Sequence, residues 1–292
     1  MTPMMEQYFE VKNQYKDYLL FYRLGDFYEM FFDDAIIASR ELELTLTGRD
    51  CGEEERAPMC GVPFHSAEGY IGRLIEKGYK VAICEQMEDP ALAKGLVRRE
   101  VIRVITPGTV IESNLLAEKK NNYLCAVFMG EFECGVAFAD VSTGQIFATS
   151  FCGDNVAARL KNELGTYAPR EVISNLSAAR LGEVADFIHD RLSAMLNDNR
   201  PSDFHFEEAR ERVKKQFPQS LREDDYENRA LICALGGLIS YVAETQKTDI
   251  SYIKDLNLYT EGQFLELDLN TRRNLELTET MRTKEKKGSL LW

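Results

Sequence analysis

The 292-residue sequence lacks both a long apolar segment and an excess of positive charge. No apolar run reaches the ~18 residues that a membrane-spanning helix needs. The first twenty residues mix acidic residues and lysines with apolar ones, which is not the pattern of a secretory signal. We therefore expect a cytoplasmic protein that makes no membrane contact.

Positive charge is scarce relative to negative charge. Lysine and arginine total 35, and aspartate and glutamate total 48, which gives a net charge of −13. A protein that holds nucleic acid by bulk electrostatics needs a basic surface. The charge therefore excludes a general polyanion binder, but it leaves room for a small local contact surface.

The cysteine pattern matches neither a disulfide framework nor a zinc ribbon. The seven cysteines are an odd number, they are widely spaced, and no two form a CxxC pair. This pattern is typical of reduced thiols in a cytosol. Cys51, Cys60 and His65 lie close in sequence, but three ligands at this spacing match no standard zinc pattern. We predict no metal site.

The length and the periodicity predict more than one α/β domain. At ~150 residues per domain, the chain is long enough for about two domains. Residues 1–115 alternate helix and strand patterns. Within them, the apolar and aromatic run 19–32 reads as one strand, residues 44–47 read as another, and residues 48–58 read as a loop.

A change of composition precedes the second half of the chain. Composition shifts over residues 107–120, where a Pro-Gly step, a Ser-Asn step and the Lys-Lys-Asn-Asn run 119–122 at the end are typical of a linker. The alternating helix and strand patterns that follow predict a sheet covered by helices. Three closely spaced runs predict an antiparallel meander. They are residues 123–129, 134–141 and 145–151.

The last segment is short and partly basic. Residues 268–284 read as a helix, and the chain then stops at the apolar residues 290–292. The apolar end predicts that residue 292 is a truncation point inside a larger protein. The charged face of this helix is interpreted as solvated or interdomain rather than as a DNA-binding stripe. Its basic residues are Arg272, Arg273, Arg282 and Lys284, with Lys286 and Lys287 directly after the helix.

Phe27 and Glu29 form the most informative pair. In an extended strand they point to the same face, because side chains alternate. This suits a core poorly, since a buried carboxylate needs a partner or a proton. Either Phe27 is a core residue and Glu29 reaches water, or Phe27 is an exposed wedge. An apolar ring can enter between base steps from the minor groove, at a cost of about a few kcal/mol that falls at a mispaired base.

The stretch around this pair resembles the mismatch-recognition segment of the bacterial MutS family of DNA mismatch repair. In that family an aromatic residue, one intervening residue and a glutamate form the reader. The matching residues here are Phe27, Tyr28 and Glu29, which follow Gly25 and Asp26. Other segments resemble family landmarks in the same order. They are Thr2–Met5, Phe21–Arg23, Pro58–His65, Val81–Gln86, Ile105–Thr109 and Thr271–Leu277.

The resemblance implies a multidomain α/β organisation. A mismatch-recognition domain would comprise residues 1–115, and a connector domain similar to ribonuclease H would comprise residues 116–248. Residues 249–292 would be the short helical start of the core and lever domain. Clamp and ATPase domains, with their ATP and Mg, would lie outside these residues, which contain no GxxxxGK[ST] phosphate loop. We therefore predict no enzymatic activity and no cofactor in this chain.

The resemblance also assigns roles and partners. Phe27 would intercalate next to a mispaired or unpaired base, and Glu29 would hydrogen-bond the displaced base. The expected partners are mismatched double-stranded DNA, a MutL-like protein and further copies of the protein. Self-association would use domains outside this chain. The expected location is the cytoplasm, in association with the nucleoid. Further candidates for DNA-backbone or groove contacts are Arg49, Met59, Val62 and His65.

Two alternatives stay open at this point. One is a ribonuclease-H-like nuclease, because Asp140 ends a predicted strand where such a nuclease places a metal-binding carboxylate. A two-metal nuclease needs several converging acids, and the sequence shows no convincing partners for Asp140. The other alternative is a protein-interaction fragment that contacts only MutL.

Overall fold

The computed structural model describes residues 1–52, 55–88, 95–111, 121–260, 269–277, 280–283 and 285–292. The chain divides into two compact units. The first comprises Met1–Asn122 and Ser240–Tyr252, and the second comprises Tyr123–Ile239 and Ile253–Trp292. Among the residues described, no helix has the length and apolar character needed to cross a membrane.

The first unit is built around a six-stranded mixed sheet. Its elements are α1 (Pro3–Lys12), β1 (Leu19–Leu24), β2 (Phe27–Phe31), α2 (Phe32–Leu42), β3 (Thr47–Arg49), β4 (Ala57–Pro63), α3 (Ala67–Glu76), β5 (Val81–Gln86) and β6 (Arg99–Ile105). The strand order is β3-β4-β2-β1-β5-β6. Strand β1 pairs in parallel with β5, and the remaining described pairs in this sheet are antiparallel.

Helices cover both faces of this sheet. Leu20 and Tyr22 of β1 pack in one core with Met5 and Tyr8 of α1. The alternate residues of β1 point to the opposite face, as strand geometry requires. There they pack with the apolar residues of α2 and α3. The alternation thus decides which side chains of each strand face α1.

Residues 19–32 do not form a single strand, so that prediction was wrong. Strand β1 turns at Gly25 and Asp26, and β2 returns antiparallel with Leu24 paired to Phe27. Gly25 has a φ of +59°, a left-handed conformation that glycine adopts without steric cost. The two-residue turn makes Phe27 the first residue of β2, next to the tip of a hairpin.

Two neighbouring predictions also need correction. The strand expected at residues 44–47 lies instead at Thr47–Arg49, because this segment pairs with β4. The predicted loop 48–58 is shorter, since β4 begins at Ala57; residues 53–54 lie outside the described residues.

Of the predicted linker, residues 112–120 also lie outside the described residues. Thr109, near its start, is buried and hydrogen-bonded to Thr106.

The second unit contains another six-stranded mixed sheet. Its elements are β7 (Tyr123–Met129), β8 (Glu133–Asp140), β9 (Gln145–Cys152), α4 (Val156–Tyr167), β10 (Glu171–Ser174), α5 (Ala178–Leu181), α6 (Glu183–Asp186), β11 (Met195–Asn197), α7 (Phe206–Gln216), α8 (Arg229–Gln246) and β12 (Asp255–Leu258). The strand order is β11-β10-β7-β8-β9-β12. The residues of α8 are divided between the two units.

Strands β7, β8 and β9 confirm the predicted antiparallel meander. Strand β10 pairs in parallel with β7, and β11 pairs in parallel with β10. Val136 and Phe138 of β8 pack on Leu160 of α4 in the core of this unit. The two mixed sheets with their helices confirm the predicted multidomain α/β class.

The predicted helix at residues 268–284 is wrong over most of its described part. Helix α9 comprises Leu269–Asn274, and a turn follows at residues 275–276. Glu276 has a φ of +48°, which leaves the right-handed helical region and ends the helix. Residues 268, 278–279 and 284 lie outside the described residues.

Candidate nucleic-acid interface

Along one face of strand β2, the side chains change from buried at Phe31 to exposed at Phe27. Phe31 is fully buried, and its ring packs 5.1 Å from that of Tyr8 in α1. The next residue on this face, Glu29, is half-buried. The last, Phe27, has 47% of its surface exposed. Phe27 and Glu29 are therefore neighbours on one face, at the end of the strand where the core stops.

Hydrogen bonds from neighbouring strands hold the turn that carries Phe27. The Gly25 N–H donates to Oε1 of Gln86, at 3.0 Å. Arg23 Nε donates to the Gly25 carbonyl, at 2.5 Å, and the Phe64 N–H donates to the Asp26 carbonyl, at 2.9 Å. These hydrogen bonds fix the backbone next to Phe27, so the position of the ring is set by the turn.

Arg23 connects the turn to the opposite face of the sheet. Its guanidinium carbon lies 3.7 Å from the centroid of the Phe64 ring, and its Nη1 lies 3.3 Å from Oε1 of Glu85. The Tyr28 hydroxyl donates to the same carboxylate. Burial, and then the hydrogen bond to Glu85, raises the pKa of Tyr28 above its usual value of 10. Tyr28 therefore stays protonated and keeps donating at neutral pH.

Glu29 forms an ion pair with Arg49 of β3. Strand β4 lies between β2 and β3, so the Arg49 side chain crosses β4 to reach the carboxylate. Gly61 is the residue of β4 that pairs with Glu29. A Cβ at Gly61 would lie 3.2 Å from the Tyr28 carbonyl oxygen and 3.5 Å from Cγ of Glu29. The glycine thus leaves room at the site of the ion pair.

The other candidate contact residues have different surroundings. Met59 is half-buried against the core that α1 covers. His65 is exposed in the short turn after β4, with its ring perpendicular to that of Phe64 and 5.8 Å from it. Val62 is fully buried in the core beneath α2 and α3, so a groove contact by its side chain is ruled out and this candidate is withdrawn. The alternation of β4 turns Val62 inward.

The acidic and sulfur-containing candidates do not assemble into a metal site. Among the residues that the structure describes, no group of three His, Cys, Asp or Glu side chains is placed to hold a metal ion. Asp140 is 2% exposed, and its Oδ1 accepts hydrogen bonds from the Ser142 hydroxyl, at 2.6 Å, and the Ser142 N–H, at 3.1 Å. These bonds are ordinary turn chemistry.

Arg23, Phe64 and Gln86 lie in segments that resemble family landmarks, but the sequence assigned none of them a contact with the turn that carries Phe27. Three separate strands or their ends bring them to that turn. The signal that could have indicated them is the Gly25-Asp26 pair, because two residues of this type between strand-like runs predict a hairpin whose tip lies at the strand ends.

Comparison with known proteins gives consistent matches along the chain. Residues 2–114 match MutS domain I, and residues 122–254 match MutS domain II. The DNA mismatch repair protein MutS of Alkaliphilus oremlandii is 51% identical over 296 residues, which cover 100% of this chain and 34% of the relative. That of Acetivibrio thermocellus is 50% identical over 292 residues, which cover 100% of this chain and 33% of the relative. This chain therefore spans about a third of the length of these curated relatives.

Proposed function

The chain belongs to the MutS family of DNA mismatch repair proteins, and on that premise we propose that it recognises mispaired or unpaired bases in double-stranded DNA. The observation that carries this proposal is the Phe27 ring, 47% exposed beside a tied hairpin turn. It lies in the unit that matches MutS domain I.

In the proposed mechanism, the Phe27 ring enters between base steps from the minor groove. Intercalation unstacks the step and kinks the duplex. The kink costs less free energy where a base pair is already mispaired or missing. Discrimination thus comes from the deformability of the duplex, which is why the site needs no sequence-specific contacts.

Glu29 is proposed to hydrogen-bond the base that Phe27 displaces. Its carboxylate lies one step further along the same face of β2. An ionised carboxylate accepts a hydrogen bond from an imino N–H, and a protonated one donates to a purine N7. Met59 and His65 are proposed as contacts to the groove or backbone around this pair, where they would position the protein without reading sequence. Arg49, the third exposed or half-buried candidate, contacts the Glu29 carboxylate, and its proposed role follows from that contact.

Removal of the Phe27 ring tests the proposal directly. We expect Phe27→Ala in the intact protein to reduce the preference for a mismatched over a perfect duplex roughly 5- to 150-fold, as for the loss of one base–aromatic stack of about 1–3 kcal/mol. The measurement is competition binding with two duplexes that differ only at the mismatch. Phe132→Ala is the matched control, because Phe132 is 63% exposed in the other unit. A preference unchanged by Phe27→Ala would contradict the proposal.

The remaining inferences from the family stay predictions. We infer that these residues serve binding rather than catalysis, with domain boundaries near residues 115 and 248. A MutL-like partner, self-association through other domains and a nucleoid location are likewise predictions. The nuclease alternative has no observation in its favour among the described residues, since the Asp140 carboxylate is engaged within its own turn.

A further inference from the structure

We infer, resting on the proposed function, that Arg49 is a positioning residue for mismatch discrimination. It holds the Glu29 carboxylate beside Phe27, and it acts through Glu29 rather than as a simple phosphate contact. The two readings of Arg49 differ in what a substitution does to specificity, so they are separable by experiment.

The placement of the pair supports this inference. Arg49 lies on the edge strand β3, and Glu29 lies two strands away on β2. Their ion pair forms across β4, where Gly61 is the partner of Glu29 and Ala57 is the partner of Arg49. The side chain of Glu29 is 16% exposed and that of Arg49 is 37% exposed. The carboxylate is therefore more enclosed than its counter-ion.

The ion pair reduces the electrostatic cost of bringing the Glu29 carboxylate close to DNA. A glutamate carboxylate that approaches a duplex is repelled by the phosphates, and its long side chain has several rotamers. A guanidinium bound to that carboxylate offsets the repulsion and restricts the rotamers. Glu29 then meets a displaced base in one orientation. Without Arg49, the carboxylate would turn away from the DNA, and mismatched and perfect duplexes would bind more alike.

A plain phosphate contact predicts something else. Loss of such a contact weakens binding to all duplexes about equally and reduces the salt dependence of binding by about one unit of slope. It also acts independently of Glu29, because a phosphate contact does not require a carboxylate partner in the protein.

The test is a double-mutant cycle in the intact protein. Affinities for a mismatched and a perfect duplex are measured at several salt concentrations for the parent, Arg49→Gln, Glu29→Gln and the double variant. Arg49→Lys tests whether a positive charge at this position is enough to maintain the mismatch preference. Arg56→Gln is the matched control, because Arg56 is an exposed arginine whose side chain lies beside Gly48, adjacent to Arg49.

We expect Arg49→Gln to lower the mismatch preference about fivefold, the scale of a partly exposed ion pair. The loss should vanish when Glu29 is already glutamine, because an uncharged amide needs no counter-ion. Arg49→Lys should restore most of the preference, and Arg56→Gln should leave it unchanged.

Three outcomes would overturn the inference. One is equal weakening of both duplexes in both backgrounds, with the reduced salt slope. The second is no effect of Arg49→Gln, and the third is an equal loss of preference in Arg56→Gln. Phe27→Ala is measured alongside: if it abolishes the preference while Arg49 and Glu29 show no coupling, this inference fails and the proposed function stands. A preference that survives Phe27→Ala overturns the proposed function itself.

Discussion

Phe27 and Phe31 are the same residue type on the same face of β2, yet one ring is 47% exposed and the other is fully buried. Complete burial of a phenylalanine side chain contributes about 1.5–3 kcal/mol to stability. Roughly half of that contribution is therefore unrealised at Phe27. A partner that covers the ring would recover it, which supports the proposal that Phe27 serves binding.

The cysteines give a prediction at the same scale. Six are buried and Cys152, at the end of β9, is exposed. Burial raises the pKa of Cys84 to about 12 and that of Cys60 to about 11. With these pKa values, the two thiols are almost entirely protonated at pH 8. They should react slowly, because the thiolate is the reactive form.

We expect a thiol reagent at pH 8 to modify one cysteine rapidly in the folded chain and all seven in denaturant. Mass spectrometry counts the adducts, and peptide mapping should place the rapid one at Cys152. Cys152→Ser is the control and should show no rapid modification. A second rapid adduct in the folded parent would contradict the burial of the other thiols.

At the scale of elements, α8 and β8 approach closely at Gly135. A Cβ at this position would lie 1.9 Å from the carbonyl oxygen of Ala230 in α8. The obstacle is helix backbone rather than a flexible side chain, so the helix itself must move to admit a methyl group. The second unit therefore requires glycine at this crossing.

Gly135→Ala should lower the free energy of unfolding by about 3 kcal/mol, at the upper end of the usual cost of overpacking. Urea unfolding followed by circular dichroism measures the change. Gly69→Ala in α3 is a control of opposite sign, because nothing lies within 4 Å of its Cβ position. Alanine is the better helix former by about 1 kcal/mol, so this variant should gain stability. An unchanged free energy of unfolding in Gly135→Ala would show that α8 and β8 are far enough apart to admit a methyl group.

At the scale of the whole molecule, the net charge of −13 opposes binding to DNA. Proteins with basic surfaces bind non-specific DNA with dissociation constants of roughly 10⁻⁴–10⁻⁶ M at physiological salt. We expect the 292-residue chain to bind a perfect duplex more weakly than about 10⁻⁴ M. Fluorescence anisotropy with a labelled duplex measures this, with a basic DNA-binding domain as the positive control. Submicromolar binding would show that a local basic surface outweighs the net charge.

Much of the fold was predictable from the sequence because the signals are local. The β7–β9 meander follows from apolar runs with short polar connections, and its bounds agree with the prediction to within about one residue. The hairpin at Gly25 was missed, because the aromatic residues on both sides obscure the two-residue turn. The helix predicted to continue past Asn274 was wrong for a different reason, because a backbone change at Glu276 ends it without a glycine or proline signal.

By itself, the sequence determined the α/β class, the seven thiols, the acidic charge and the Phe27-Tyr28-Glu29 motif, because each depends on residue identity or on neighbours a few positions away. The tertiary structure alone decided that Phe27 is exposed, that Val62 is buried and that Arg49 meets Glu29. These facts depend on which strands become neighbours in the order β3-β4-β2 and on where the core under α1 stops. Contacts between distant segments depend on which strands pair and in which register, and the residues of one strand alone do not fix both.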